Sequence, residues 1–248
     1  MRRVTRTPLP PQAQTYLDKR QSAANLRRAS GSQNIENEWN TARQTKAVRA
    51  VVKTLQRMTG SRERCMYCVD SHGSDIDHFR PKARFPGRAF QWSNMLLCCT
   101  ECGRFKGSRF PMTKRRALLI DPTTEDPWRH LDFDPDTGNL TARFDIEAND
   151  WSEKGSTTVD VLQLDRREAM AKGYAITYQR LADIMQTSFA SLSSGAMTAT
   201  TLLAELRTAD DHGLLPWCFR GTGMDFEPFC VLHRQYPRVW RDCLTGVR

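Results

Sequence analysis

The sequence has no long apolar segment, no glycine-rich phosphate-binding loop, no internal repeat and no low-complexity tract. Without an apolar run of about 20 residues, we expect no membrane-spanning helix. Without a phosphate-binding loop, we expect no ATPase activity in this chain. Met1-Arg2-Arg3-Val4 is basic but no apolar run follows it, so we expect no secretory signal and a cytoplasmic, reducing location.

What the sequence does contain is an uneven distribution of charge. Residues 1–120 carry 24 Lys and Arg against 8 Asp and Glu, a net charge of +16, whereas residues 121–248 carry 13 against 20, a net charge of −7. This division indicates that one part of the molecule meets the phosphate backbone of nucleic acid. The alternative is a set of unconnected solvated faces. For the acidic half we expect a protein partner or a limit on non-specific DNA binding.

Four of the eight cysteines form two Cys-x-x-Cys pairs, Cys65-Met-Tyr-Cys68 and Cys99-Thr-Glu-Cys102. Each pair supplies two sulfurs from one tight turn, and four thiolates are the ligand set of a tetrahedral structural zinc ion. Free buried cysteines or two disulfides are the alternatives. The pattern therefore predicts a four-cysteine Zn²⁺ site that stabilises a short, polar stretch of chain.

The segment between the two pairs contains Asp75-Ile-Asp77-His78, followed by Phe-Arg80-Pro-Lys82, and then Asn94. After the second pair comes Gly103-Arg104-Phe-Lys106-Gly. This arrangement resembles the HNH endonuclease family, and in particular the Septu and retron-associated HNH nucleases of bacterial anti-phage systems. The resemblance is strongest over residues 65–107. It implies an α+β fold with a ββα-metal core stapled by zinc, and hydrolysis of phosphodiester bonds in nucleic acid, with DNA favoured over RNA.

The chemistry of these residues suits such a reaction. His78 is expected to take a proton from the attacking water, and Asp77 to hold a divalent ion, Mg²⁺ or Mn²⁺. Asn94 is expected to position the strand that carries His78. Four basic side chains near these residues are expected to contact phosphates: Arg80, Lys82, Arg104 and Lys106.

One position departs from the family pattern. Directly after the second Cys-x-x-Cys, HNH proteins usually have a His or Asn that binds the catalytic ion, whereas this chain has Gly103. Asp75 would lie on the same face of a strand as Asp77 and could help to hold the ion, and His130 is a more distant candidate. The second hypothesis is therefore a zinc-stapled adaptor that binds nucleic acid without cutting. A zinc scaffold with no nucleic-acid role is a third, and the charge of residues 1–120 argues against it.

We expect three segments: a basic arm and helix over 1–60, short strands followed by helices over 116–248, and between them, over 61–115, the nuclease core with its zinc site that the resemblance implies. Within them, we expect an extended arm over 1–32, one helix over 33–59, and a turn at Asp134–Gly138 between strands. A long helix from about 157 is expected to break near Gly173. Because Septu-type nucleases are encoded with an ATPase, the resemblance also implies an ATPase partner.

Overall fold

The computed structural model describes residues 1–247, which divide into two compact units. The N-terminal unit comprises Val4–Thr124, and the C-terminal unit comprises Met1–Arg3 with the residues from Glu125 onward. Each unit combines helices with small two-stranded sheets, so the expected α+β class is confirmed. Across residues 1–247, no helix combines the length and apolar character needed to cross a membrane.

The N-terminal unit contains four helices and two antiparallel hairpins. Its elements are α1 (Pro11–Ala29), α2 (Ile35–Ala42), α3 (Lys46–Met58), β1 (Asp75–His78), β2 (Met95–Cys98), α4 (Thr100–Lys106), β3 (Met112–Thr113) and β4 (Arg116–Ala117). β1 pairs with β2, and β3 pairs with β4. Short 3₁₀ turns at Pro86–Arg88 and Trp92–Asn94 lie between β1 and β2.

The expectation of an extended arm over residues 1–32 is wrong, because most of this segment forms α1. Pro11 is its first residue, where the missing N–H of proline costs nothing and its fixed φ favours the helix. The single helix expected over 33–59 is also divided in two. The Thr45 side chain accepts a hydrogen bond from the Val48 N–H and so begins α3 as a new helix.

The C-terminal unit begins with hairpins and continues as helices. Its elements are β5 (Leu131–Phe133), β6 (Leu140–Ala142), β7 (Phe144–Asp145), β8 (Asp150–Trp151), α5 (Glu153–Leu162), α6 (Glu168–Ser193), α7 (Ala199–Ala209), α8 (Leu215–Arg220), α9 (Phe229–Gln235) and α10 (Pro237–Gly246). The expected turn at Asp134–Gly138 joins β5 to β6, and the Gly138 N–H donates to the Asp134 carbonyl. The long helix expected from about 157 is wrong, because the helix breaks after Leu162, where Gln163 has a φ of +51°, and α6 then runs through Gly173 without a break.

Gly138 and Gly195 offer a matched test of backbone packing in the C-terminal unit. Both have a positive φ, +76° and +75°, but an added Cβ would collide with the backbone of Ala171 at Gly138 and would meet open space at Gly195. We therefore expect Gly138→Ala to lower the free energy of unfolding by at least about 1 kcal/mol more than Gly195→Ala. Chemical denaturation of both variants measures the difference, and equal losses would contradict the packing described here.

Candidate active site

The four cysteine sulfurs of the two Cys-x-x-Cys pairs meet in the interior of the N-terminal unit. All four residues are buried, and their sulfurs lie within 4.8 Å of one another. The Sγ atoms of Cys68 and Cys99 are 3.9 Å apart. A tetrahedral ion with Zn–S bonds of about 2.3 Å holds its sulfurs about 3.8 Å apart, so the spacing fits zinc. The cluster could therefore hold a metal ion such as zinc.

Local backbone structure places each pair of sulfurs. In the first pair, the Val69 N–H donates to the Cys65 carbonyl and closes a tight turn, with Val69 at a φ of +54°. In the second, Cys99 is the residue immediately before α4, and its Sγ accepts a hydrogen bond from the Cys102 N–H. Hydrogen bonds with Cys102 and Cys65 lower the pKa of the Cys99 thiol to about 7, whereas burial raises the pKa of the Cys65 thiol.

His78 is the last residue of β1 and is almost completely buried. Its Nε2 lies 2.8 Å from the Ala89 carbonyl oxygen, and its ring meets the edge of Trp39 at 4.4 Å between centroids. Because a carbonyl can only accept, Nε2 carries the hydrogen and Nδ1 has the lone pair. Burial lowers the pKa of His78 to about 4, so the imidazole is neutral at physiological pH.

Asn94 fastens the loop that follows His78. Its Oδ1 accepts from the Arg80 N–H at 2.8 Å, and its Nδ2 donates to the carbonyls of Arg80 and Arg88, both at 3.0 Å. The Phe79 N–H also donates to the Asn94 carbonyl. Arg88 directly precedes Ala89, which receives the His78 hydrogen bond. The amide thus links the chain on both sides of the imidazole, which is the geometry of a positioning residue.

Asp77 points to a different set of partners from those expected. Its carboxylate accepts a hydrogen bond from the Tyr67 hydroxyl at 2.6 Å and pairs with the Lys106 ammonium at 3.0 Å. Lys106 is completely buried and also donates to the His78 carbonyl at 2.9 Å. The Lys106 ammonium is therefore enclosed by acceptors of the protein itself, which argues against the phosphate contact expected for it. Sequence reasoning missed Tyr67, although its place inside the first Cys-x-x-Cys pair was a signal.

Asp75 is half-exposed and pairs with Arg43 at 3.2 Å. Carboxylate oxygens suit Mg²⁺, but Asp75 and Asp77 are each already paired with a cation of the protein. Among residues 1–247, only the four cysteines bring three or more potential His, Cys, Asp or Glu ligands together. Asp75 and Asp77 are therefore two candidate donors for a catalytic ion, and among residues 1–247 no third His, Cys, Asp or Glu lies close enough to complete a set with them.

A cavity of about 570 Å³ brings most of these residues together. Asp75, Asp77 and His78 line it, and so do the expected phosphate-binding residues Lys82 and Arg104. Lys82 pairs with Glu36 at 3.1 Å. Arg80 lies outside the cavity lining, with its guanidinium over the rings of Phe85 and Phe110.

Gly103 lies on the wall of the same cavity. A Cβ at this position would lie 3.4 Å from the sulfur of Cys98, which is an ordinary contact. A Cβ at position 103 is therefore tolerated on this wall of the cavity. Cys98 itself is buried outside the four-sulfur cluster, and burial raises the pKa of its thiol.

Comparison with known proteins gives partial, distant matches. No family model matches the chain. It is 28% identical over 115 residues to the Septu protein PtuB of Bacillus thuringiensis, a match that covers 44% of this chain and 40% of that protein. It is 31% identical over 133 residues to the Septu protein PtuA of Bacillus mycoides strain KBAB4, covering 42% of this chain and 18% of that protein. The chain thus spans less than half of the length of these relatives.

The adjacent cysteines Cys98 and Cys99 provide a matched test of the metal site. Both are buried, but only Cys99 belongs to the four-sulfur cluster. We expect Cys99→Ala to abolish stoichiometric zinc binding and Cys98→Ala to retain one zinc per chain, because a structural site needs all four ligands. Elemental analysis of the purified proteins measures this. Zinc retained by Cys99→Ala, or lost equally by both variants, would contradict the assignment.

The buried pair of Lys106 and Asp77 makes a second prediction. Replacing Lys106 by Met leaves the Asp77 carboxylate enclosed without its cation, and such a loss costs about 3–5 kcal/mol of unfolding free energy. We expect Lys106→Met combined with Asp77→Asn to recover much of that stability, because no uncompensated charge remains. Denaturant unfolding of the single and double variants tests the coupling. Additive losses would show that the pair is not coupled.

Proposed function

We propose that this chain is a metal-dependent HNH endonuclease that hydrolyses phosphodiester bonds of nucleic acid, DNA rather than RNA, in bacterial anti-phage defence. The distant similarity to the Septu proteins PtuB and PtuA supports the defence role. One observation carries the nuclease proposal. The neutral His78 imidazole, oriented by the hydrogen bond from its Nε2 to the Ala89 carbonyl, lines a cavity that is also lined by carboxylates and basic side chains.

His78 has the hydrogen-bonding arrangement of a general base. Its Nε2–H donates a hydrogen bond to the Ala89 carbonyl, and this bond fixes the orientation of the ring. Its Nδ1 forms no hydrogen bond with any of residues 1–247. In the proposed reaction, Nδ1 accepts a proton from water as the water oxygen bonds to phosphorus. The bond from phosphorus to the leaving oxygen breaks, and that oxygen takes a proton from solvent. Lys82 and Arg104 contact the phosphates beside the cut.

A bound Mg²⁺ or Mn²⁺ ion would neutralise the charge that builds on the phosphate. Asp75 and Asp77 are the proposed ligands, and their pairing decides which of them is more readily available. The pair of Arg43 and Asp75 is about half exposed, and such pairs contribute little. Asp77 is held by the buried Lys106. Asp75 is therefore the carboxylate that is released at lower cost.

The order of elements supports the ββα-metal assignment. β1 and β2 form an antiparallel hairpin in which His78 is opposite Met95, and α4 follows β2 after one residue. The four-cysteine cluster lies before β1 and at the start of α4. A zinc ion there would have a structural role, since four thiolates leave no open position for water.

A second candidate function is a nucleic-acid-binding adaptor that does not cut. Two observations favour it. Gly103 supplies no ligand to the cavity, and the Asp77 carboxylate is already occupied by Lys106 and Tyr67. In either case we propose that an ATPase of the same defence system is the protein partner, as the resemblance to Septu nucleases implies.

Cleavage assays with a single histidine substitution test the proposal. We expect the parent protein to cut plasmid DNA with magnesium or manganese and His78→Ala to be at least about 100-fold slower, because the base is lost. His72→Ala is the control, since this side chain is exposed and lies outside the cavity lining. Total RNA is assayed in parallel. Equal rates for the parent and His78→Ala would contradict the mechanism.

If the parent binds DNA but does not cut it, Gly103→Asn separates the two candidates. The Cβ of an Asn at this position would make an ordinary contact with Cys98, and its amide would supply the family's missing ligand. Cutting by Gly103→Asn, with zinc content unchanged, would identify a nuclease weakened at one ligand. Binding without cutting in both proteins would favour the adaptor.

A further inference from the structure

α3 carries charge of one sign on one face. The helix has four basic residues and no acidic or aromatic residue. The basic side chains are all exposed, and together they are named the α3 stripe: Lys46, Arg49, Lys53 and Arg57. At 100° and 1.5 Å per residue, they lie within an arc of roughly 80° and extend over about 17 Å. The opposite face is buried through Val48, Val51 and Leu55.

The α3 stripe is not neutralised by its surroundings. Among residues 1–247, none of its four side chains forms an ion pair with a carboxylate. Arg49 donates to the Gln44 carbonyl at 3.2 Å, and Arg57 donates to the Thr54 hydroxyl at 3.1 Å. These neutral acceptors leave the positive charges uncompensated. By contrast, Arg27 of the same unit pairs with Glu38 at 2.7 Å.

The stripe begins beside the candidate active site. Arg43, which lines the cavity, is three residues before Lys46. Three residues of chain span at most about 11 Å, so the first charge of the stripe is close to the cavity wall. Arg43 is itself half-exposed and pairs with Asp75. The row of charges therefore leads away from the place where the proposed cut occurs.

We propose that the α3 stripe binds the phosphate backbone of duplex DNA and holds it against the cavity. The proposal rests on the function proposed above and adds a substrate-binding surface to it. A duplex carries one charge per about 1.7 Å of its axis when both strands are counted, so a length of about 17 Å contains roughly ten phosphate charges, and the stripe faces those on one side of it. Proteins that bind single strands use aromatic side chains to stack bases, and α3 has none. The contact is therefore to the backbone and independent of base sequence.

Salt-dependent binding tests the stripe without requiring cleavage. The His78→Ala protein, without added divalent ion, is titrated into a fluorescent 30-base-pair DNA duplex between 50 and 200 mM salt. Replacing Lys46, Arg49 and Lys53 together by Gln is expected to weaken binding at least about tenfold at 50 mM salt. It should also reduce the slope of log K against log salt by about 2–3, since each lost phosphate contact removes about 0.9.

Two matched variants control for net charge and for folding. Arg234, Arg238 and Arg241 are exposed residues of the C-terminal unit, and their joint replacement by Gln removes the same charge. That variant should keep the parent's affinity and slope. Replacing Lys46 and Lys53 by Arg retains the charges and should also bind as the parent does. Zinc content and thermal unfolding show that every variant is folded.

Three results would overturn the proposal: no duplex binding by the parent at 50 mM salt, an equal loss in the stripe and control variants, or tighter binding of the single strand of the same sequence. Its failure is distinguishable from failure of the nuclease proposal. A protein that binds through α3 but never cuts would refute the nuclease alone. A protein that cuts, with an unchanged salt slope in the stripe variant, would refute the stripe alone.

Discussion

The four-sulfur cluster is the constraint on which the rest of the candidate site depends. β1 and β2 have four residues each and α4 has seven, lengths at which neither a lone hairpin nor a lone helix is stable in water. The sulfurs bring together the turn before β1 and the start of α4. A metal ion bound by them would therefore cross-link these two segments and stabilise the hairpin and helix between and beside them. With these two segments cross-linked, the four-residue strand β1 can hold His78 rigidly at its end.

Lys106 adds a second link between the same elements. It lies at the end of α4 and contacts both the Asp77 side chain and the His78 carbonyl on β1. A buried ammonium requires such partners, since an unpaired charge in the interior is very costly. The Asp77 carboxylate therefore serves the packing of α4 against β1. That role limits how freely the same carboxylate could bind an ion, and it makes the half-exposed Asp75 more important to any metal chemistry.

The sequence predicted the features that depend on local spacing and missed those that depend on tertiary packing. The two Cys-x-x-Cys pairs and the turn at Asp134–Gly138 are short-range patterns, and both form as expected. The expectation of an extended arm is wrong because Pro11 stands at the first helical position, where proline favours a helix instead of opposing it. The burial of Lys106 could not be predicted, because its partner Asp77 is 29 residues away and only the fold brings them together.

The basic residues of the N-terminal half illustrate the same distinction. Lys106, Arg43 and Lys53 contribute equally to the net charge of +16 over residues 1–120, but their environments in the structure differ. Lys106 is buried against Asp77, Arg43 is paired with Asp75, and Lys53 is exposed without a carboxylate partner. Only charges of the last kind release counterions when a phosphate backbone arrives. If this chain binds nucleic acid as proposed, its affinity should therefore depend on where its unpaired charges lie in a row, and less on its total charge.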